Sequence, residues 1–356
     1  MLRAKLKKTF PQRNDSVGFS LDVEFQAAAG VTVLFGPSGA GKTLVLDAIA
    51  GFVRPEEGRI LLDDDLLFDG ATGVHLPPQA RQCGYVFQNY ALFPHMTLRE
   101  NLMFAAERRP RLERHRRVTE MLETFRLADA AGRKPHEVSG GQRQRCSIAR
   151  ALIVGPKVLL LDEPAQGLDA PLRAELYGVL RQVREEFKTP VVLVTHDLEE
   201  SFELGEEMLI LRDGKIVQSG APRAVLDQPA NIDVARLLGA YNLIPCEIRA
   251  LDPGRNTSKI QMGEAELDGP YFPGRFKGDR VTLCVRPQEL RVTPRMGRQG
   301  ANQIAGELQR VIDKPFGVRL EFEDGIAADL ARADFERQRD NKSWWIEFPA
   351  AALRVV

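Results

Sequence analysis

The sequence predicts an α/β protein, a parallel sheet flanked by helices, followed by a small all-β domain. Three observations carry this. Lys157 to Asp162 (KVLLLD) and Pro190 to Thr195 (PVVLVT) are continuous apolar runs with the length of buried parallel strands. Between them, Leu172 to Phe187 spaces its apolar residues three or four apart, as an amphipathic helix does. Beyond Gly239 the texture changes to short alternating segments broken by Gly, Pro and Asn.

In chain order, Val31 to Phe35 is a short β-branched strand that stops at a glycine, and Leu44 to Phe52 then has helical spacing. Strand and helix alternate through residues 1–235, which favours a parallel sheet. The segments Arg280 to Val285, Gly306 to Ile312, Gly317 to Phe322 and Trp344 to Phe348 give residues 236–356 the pattern of a sandwich or barrel. MGRQGANQ, 296–303, reads as a linker between two β modules.

Composition bounds the function. At roughly 150 residues per domain, a chain of 356 residues favours two domains. Lys plus Arg number 49 and so do Asp plus Glu, which argues against broad nucleic-acid binding. No apolar run is long enough to span a bilayer. The opening MLRAKLKKTFPQRND is basic with no apolar stretch behind it, unlike a secretory signal. The cysteines at 83, 146, 246 and 284 form no C-x-x-C, which fits a reducing cytosol.

Gly36, Pro37, Ser38, Gly39, Ala40, Gly41, Lys42 and Thr43 fit G-x-x-x-x-G-K-[ST] between a strand and a helix. Glycines let successive backbone N–H groups converge on a phosphate; Lys42 would reach the β- and γ-phosphates and the Thr43 hydroxyl would ligate Mg²⁺. Asp162 and Glu163 end an apolar strand, where carboxylates face a nucleotide crevice. Asp162 would hold Mg²⁺ through water, and Glu163 would act as general base toward the attacking water. Ser139, Gly140, Gly141 and Gln142 open a helix and offer a second anion site from backbone amides and the helix dipole.

GPSGAGKT, VSGGQRQR, VLLLDEP and VLVTHD, in this order, resemble the ATPase subunit of an ATP-binding-cassette (ABC) transporter over residues 1–235. The resemblance implies a P-loop ABC ATPase cassette that binds ATP and Mg²⁺ and hydrolyses ATP. It implies a head-to-tail homodimer in which each nucleotide lies between one chain's phosphate loop and the other's SGGQ turn. Ser139, Gly140, Gly141 and Gln142 then act in trans. Gln88 matches the residue that contacts Mg²⁺ or the attacking water, and His196 matches the switch histidine on the γ-phosphate. Asp169 matches the loop at the dimer interface. Phe10 is the candidate for stacking on adenine, with Phe19 the alternative. Two positions depart from the family pattern: Val138 replaces the usual Leu, and Gln166 replaces a small residue.

The cassette with a β-rich tail resembles importer ATPases for sugars, sulfate, iron, polyamines and molybdate. Phe68-Asp69, His75 to Pro78 and Gly84 to Gln88 resemble the molybdate subgroup, and residues 301–356 resemble its small oxyanion-binding barrel. The barrel's usual Lys and Ser/Thr ligands are not apparent in Phe348 to Leu353. The expected function is therefore ATP-driven import of an oxyanion, molybdate or tungstate, with sulfate, iron, sugar or polyamine as the alternative cargo; Arg286-Pro287 in CVRPQEL also resembles sugar and polyamine importers. The expected partners are transmembrane permease subunits and, indirectly, a periplasmic binding protein, with no nucleic acid. The chain would sit peripherally on the cytoplasmic face of the inner membrane. Asn89 to Leu102 would receive a short helix from the membrane subunit. A soluble ABC ATPase of translation or DNA repair is the alternative of another class; such chains carry two cassettes or a long coiled-coil insertion, and this one has neither.

Overall fold

The apolar runs of the sequence become the centre of a mixed sheet in the computed structural model, which describes residues 1–11, 18–107, 110–187, 189–296 and 298–356. By contact the chain divides into two units, Met1–Val225 and Leu226–Val356.

The first unit opens with an antiparallel pair, β1 (Leu2–Phe10) and β2 (Phe19–Ala27). Its alternating burial shows that the basic N-terminus is an amphipathic strand: Leu2, Ala4 and Leu6 point inward while Arg3, Lys5 and Lys7 face water. Strand β3 (Val31–Phe35) leads into helix α1 (Lys42–Ala50). Strands β4 (Glu57–Leu62), β5 (Asp65–Asp69) and β6 (Val74–His75) extend the antiparallel side. Strand β7 (Cys83–Val86) is followed by helices α2 (Leu98–Ala105), α3 (Arg111–Thr124) and α4 (Gly140–Leu152). The rest alternates: β8 (Val158–Asp162), α5 (Ala170–Phe187), β9 (Val191–Thr195), α6 (Leu198–Leu204), β10 (Glu207–Arg212) and β11 (Lys215–Gly220).

Among the described residues these strands make one eleven-stranded sheet, ordered β6-β5-β4-β1-β2-β11-β10-β3-β9-β8-β7. The run β10-β3-β9-β8-β7 is parallel, as expected. The sheet as a whole is mixed, because hairpins rather than helical crossovers join β1 to β2 and β4 to β5. Strands β3, β8 and β9 are buried at every position. Their register places Phe35 beside Thr195, Asp162 beside Val194 and Val86 beside Leu161. The segments that leave β3, β7, β8 and β9 therefore emerge at one edge, where ligands bind in open parallel sheets.

Helix α7 (Pro222–Asp227) spans the division between the units. The boundary expected at 235/236 instead falls inside helix α8 (Ile232–Leu238), whose Val234, Ala235 and Leu238 are buried and which contacts the first strand of the tail. The second unit continues with β12 (Asn242–Asp252), β13 (Thr257–Met262), β14 (Ala265–Gly269), β15 (Arg280–Val285), β16 (Arg291–Pro294), β17 (Gln303–Lys314), β18 (Gly317–Phe322), β19 (Ala327–Leu330), helix α9 (Arg332–Glu336), β20 (Ser343–Glu347) and β21 (Arg354–Val355). They form two five-stranded sheets, β14-β13-β12-β15-β21 and β16-β20-β17-β18-β19. The expected separate module at 301–356 is corrected by the pairing: β20 hydrogen-bonds to β16, and β21 to β15. One apolar cluster, from Cys246 to Leu353, serves both sheets. Gly297 of the expected linker lies outside the described residues; 298–302 carry no strand.

Candidate active site

Gly41 is the N-cap of α1 in the expected phosphate loop. Its φ is +98°, and a Cβ there would lie 2.8 Å from Phe19 Cζ, so only glycine fits. The loop closes over Lys42, whose Nζ donates to the Gly36 carbonyl at 2.8 Å and the Pro37 carbonyl at 3.0 Å. Burial pulls the Lys42 ammonium below its ordinary range, against the opposing pull of Glu163 and Asp162. Ala40 packs into the core at 3% exposure, while Ser38, Gly39, Gly41, Lys42 and Thr43 line a cavity of about 700 Å³.

Thr43 Oγ1 donates to both Asp162 oxygens, at 3.1 and 3.0 Å. Burial raises the Asp162 carboxyl; the Thr43 bond and Lys42 oppose that, and Glu163 and Asp47 reinforce it. A hydroxyl and a carboxylate held together beside a lysine suit a divalent ion that shares its shell with phosphate oxygens. Among the described residues no group of three or more His, Cys, Asp or Glu converges on a metal position. Phosphate oxygens and water would complete the shell of such an ion.

Glu163 has a positive φ of 47°, rare for a side-chain-bearing residue. Its N–H donates to the Val194 carbonyl at 3.0 Å and its carbonyl accepts from Gln166 at 3.1 Å. The strand thus ends in a tight turn beside β9. The Glu163 carboxylate lies 3.3 Å from His196 Nδ1, and both residues line the cavity. A carboxylate paired with an imidazole at a phosphate loop can take a proton from water and hold a developing charge.

Gln88 also lines the cavity, and its Nε2 donates to Gln166 Oε1. Sequence reasoning flagged Gln166 only as a departure from pattern; the structure makes it a wall of the site. Phe10 and Phe19 are cross-strand partners, 6.4 Å between ring centroids, and both line the cavity. The two aromatic candidates thus share one wall. Leu44, not singled out in the sequence, lines it as well. Tyr85, whose hydroxyl donates to Asp47 at 3.0 Å, ties β7 to α1 and so fixes the strand that presents Gln88.

Ser139, Gly140, Gly141 and Gln142 do not line this cavity. Ser139 caps α4 in a reciprocal box: its Oγ accepts from the Gln142 N–H at 3.2 Å and its N–H donates to Gln142 Oε1 at 3.0 Å. Asp169 stands apart from the cavity too; its Oδ1 accepts from the Leu172 N–H at 3.1 Å at the start of α5. The expected helix-receiving segment is partly locked from within. Buried Asn101 bonds Phe93 N–H at 2.8 Å and the Phe93, Met96 and Thr97 carbonyls, and Leu92 and Phe93 are half-buried. The four cysteines are free, and burial pushes Cys83 and Cys146 up to about 12 and Cys246 and Cys284 up to about 11, far from nucleophilic use. Among the described residues no helix is long and apolar enough to cross a membrane.

The ABC transporter family model matches residues 21–166. The spermidine/putrescine import ATP-binding protein PotA of Nitratidesulfovibrio vulgaris is 37% identical over 329 residues, covering 90% of this chain and 86% of that protein. The putative 2-aminoethylphosphonate import ATP-binding protein PhnT of Salmonella typhimurium is 39% identical over 284 residues, covering 79% and 74%. Among solved structures, the dimeric post-hydrolysis state of an ATP-binding cassette bound to ADP and Pi shares 29% identity with a TM-score of 0.54, covering 63% of this chain and 99% of that one. Both relatives are named for a cargo other than molybdate.

Proposed function

The chain belongs to the ABC transporter family, as the ATP-binding, ATP-hydrolysing subunit of a bacterial importer, and from that premise we propose that it serves polyamine uptake through the following cycle. The loop amides and Lys42 hold the β- and γ-phosphates, and Phe10 with Phe19 flanks the base. Thr43 directly, and Asp162 through water, would hold Mg²⁺. When bound there, Mg²⁺ would supply charge neutralisation at the phosphate oxygens. Gln88 orients the attacking water and Glu163 takes its proton as the oxygen bonds to the γ-phosphorus and ADP leaves. His196 orients Glu163 and faces the γ-phosphate.

Two such chains pair head to tail, so that Ser139 to Gln142 of each close on the other's nucleotide and Asp169 lies at their interface. In support, the signature turn does not line its own chain's cavity, and the similar solved cassette is dimeric. The dimer would sit peripherally under the permease, which with an external binding protein selects the cargo.

The polyamine reading rests on one observation: the similarity to the spermidine/putrescine protein runs through 90% of the chain, tail included. It replaces molybdate, which drew on short segments and on a tail module that the strand pairing does not separate.

Two measurements test the proposal. Purified Glu163→Gln should bind ATP normally yet lose about 100-fold or more of steady-state hydrolysis; near-normal turnover removes Glu163 as the base. Cells lacking the chain should lose uptake of labelled spermidine and putrescine, and the wild-type gene should restore it. Loss confined to 2-aminoethylphosphonate or molybdate uptake would replace the cargo and leave the ATPase mechanism standing.

A further inference from the structure

Helix α5 touches both turns on which the proposed cycle depends. On one side it meets the signature turn. A Cβ on Gly141 would lie 2.9 Å from Leu172 Cδ2, so α4 rests directly on Leu172. Arg145 of α4 pairs with Glu175, one turn further along α5.

On its other side α5 meets the switch turn. Arg173 NH1 donates to Asp197 Oδ2 at 2.9 Å, and both side chains are about two-thirds buried, at 31% and 33% exposure. Asp197 is itself fixed. Its Oδ1 accepts from the Glu199 N–H at 2.7 Å as the cap of α6, and its own N–H donates to Thr195 Oγ1 at 3.0 Å. His196 lies between Thr195 and Asp197, so the residues on both sides of it are tied down while its own ring stays 56% exposed toward the cavity. The Arg173 bond is the side-chain tie that joins Asp197 to helix α5.

We infer that Arg173 is a positioning residue, which through Asp197 makes the first turn of α5 a bracket holding His196 in register with the signature turn of the same chain. The inference rests on the roles given above to His196 and to Ser139–Gln142. In the dimer, His196 works on the chain's own nucleotide and the signature turn on its partner's. A bracket between them passes the movement of one site to the other without touching either nucleotide.

The test uses the full-length chain. Arg173→Met removes the bridge and keeps the aliphatic stem. It should leave ATP affinity within about twofold of wild type and lower kcat about tenfold, because the loss is one of geometry in the reacting complex rather than of binding. Arg173→Lys should recover kcat to within about threefold, since an ammonium can still reach Asp197. Asp197→Asn keeps the helix cap and should give the same loss, and combining it with Arg173→Met should add less than about twofold, as expected when both break one contact.

Wild-type kcat in Arg173→Met overturns the inference. So does a loss that Arg173→Lys fails to recover, or a double variant whose losses multiply. Should Arg173→Met fold poorly, Asp197→Asn and Arg173→Lys carry the same comparison. His196→Ala, measured alongside, separates the two levels. If it keeps full hydrolysis, the reading of the site falls and the bracket with it. If it loses hydrolysis while the bridge variants do not, only the bracket falls.

Discussion

Glu200 is a carboxyl that the folded chain prefers protonated. It is 2% exposed on α6, and burial raises it to about 7; the Asp197 and Glu163 carboxylates add to the rise, while a Thr195 hydrogen bond and Arg173 oppose it. Its Oε1 and the nearby Tyr177 hydroxyl are buried without hydrogen-bond partners. The unfolded chain releases this proton near the ordinary value of 4.5, the folded chain only near 7. Between those values the folded state binds more protons, so its stability falls as pH rises, and the full penalty persists above about pH 7. Glu200→Gln removes the penalty. From pH 5 to pH 8 the wild type should lose up to about 3 kcal/mol more unfolding free energy than the variant. Urea titrations at several pH values check this, and parallel curves would sink it. Nothing in the sequence HDLEES singles out this Glu, because its burial comes from tertiary packing. The phosphate loop was legible for the opposite reason: its backbone needs glycines at fixed spacing, and its chemistry needs Lys42 and Thr43 directly after them.

At the scale of elements, α4 shows how much of the site depends on a helix start. The Ser139–Gln142 box satisfies two end groups of the helix, and such caps contribute roughly 1 kcal/mol. Ser139→Arg would lose that cap and place a long cation where the partner's nucleotide is expected to dock. Nucleotide binding by the single chain should stay nearly intact, since Ser139 does not line its cavity, while hydrolysis should disappear. Equilibrium binding to the monomer and steady-state turnover decide it, and loss of monomer binding would refute action in trans. Elements differed in legibility. Strands β3, β8 and β9 announced themselves as unbroken apolar runs because both of their faces are covered. Strand β1 did not, because its outward Arg3, Lys5 and Lys7 made an alternating strand look like a basic tail. The tail strands were readable singly, but β21's return to β15 is a long-range pairing that no local pattern encodes.

At the scale of the whole chain, each unit has its own apolar cluster, one drawn from Leu2 to Leu211 and the other from Cys246 to Leu353. Units with separate cores unfold separately unless their interface couples them strongly. Every residue lining the cavity proposed to hold the nucleotide belongs to the first unit. Ligand binding should therefore stabilise that unit alone. The sequence supplies a selective reporter, because both tryptophans, Trp344 and Trp345, lie in the second unit and are buried there. Heating should unfold the tail with a change in tryptophan fluorescence, while calorimetry follows both units. With Glu163 as the proposed base, the Glu163→Gln variant should allow MgATP to be present without being consumed. At about 100 times its Kd, the ligand adds about 2.7 kcal/mol to the state that binds it. For a unit of this size that is a rise in Tm on the order of 5–10 °C. The calorimetric transition of the cassette should move by that amount, and the tryptophan transition should stay within about 1 °C of its ligand-free position. A tryptophan transition that climbs in step with the cassette would mean that the two units unfold as one, and that nucleotide binding reaches the tail.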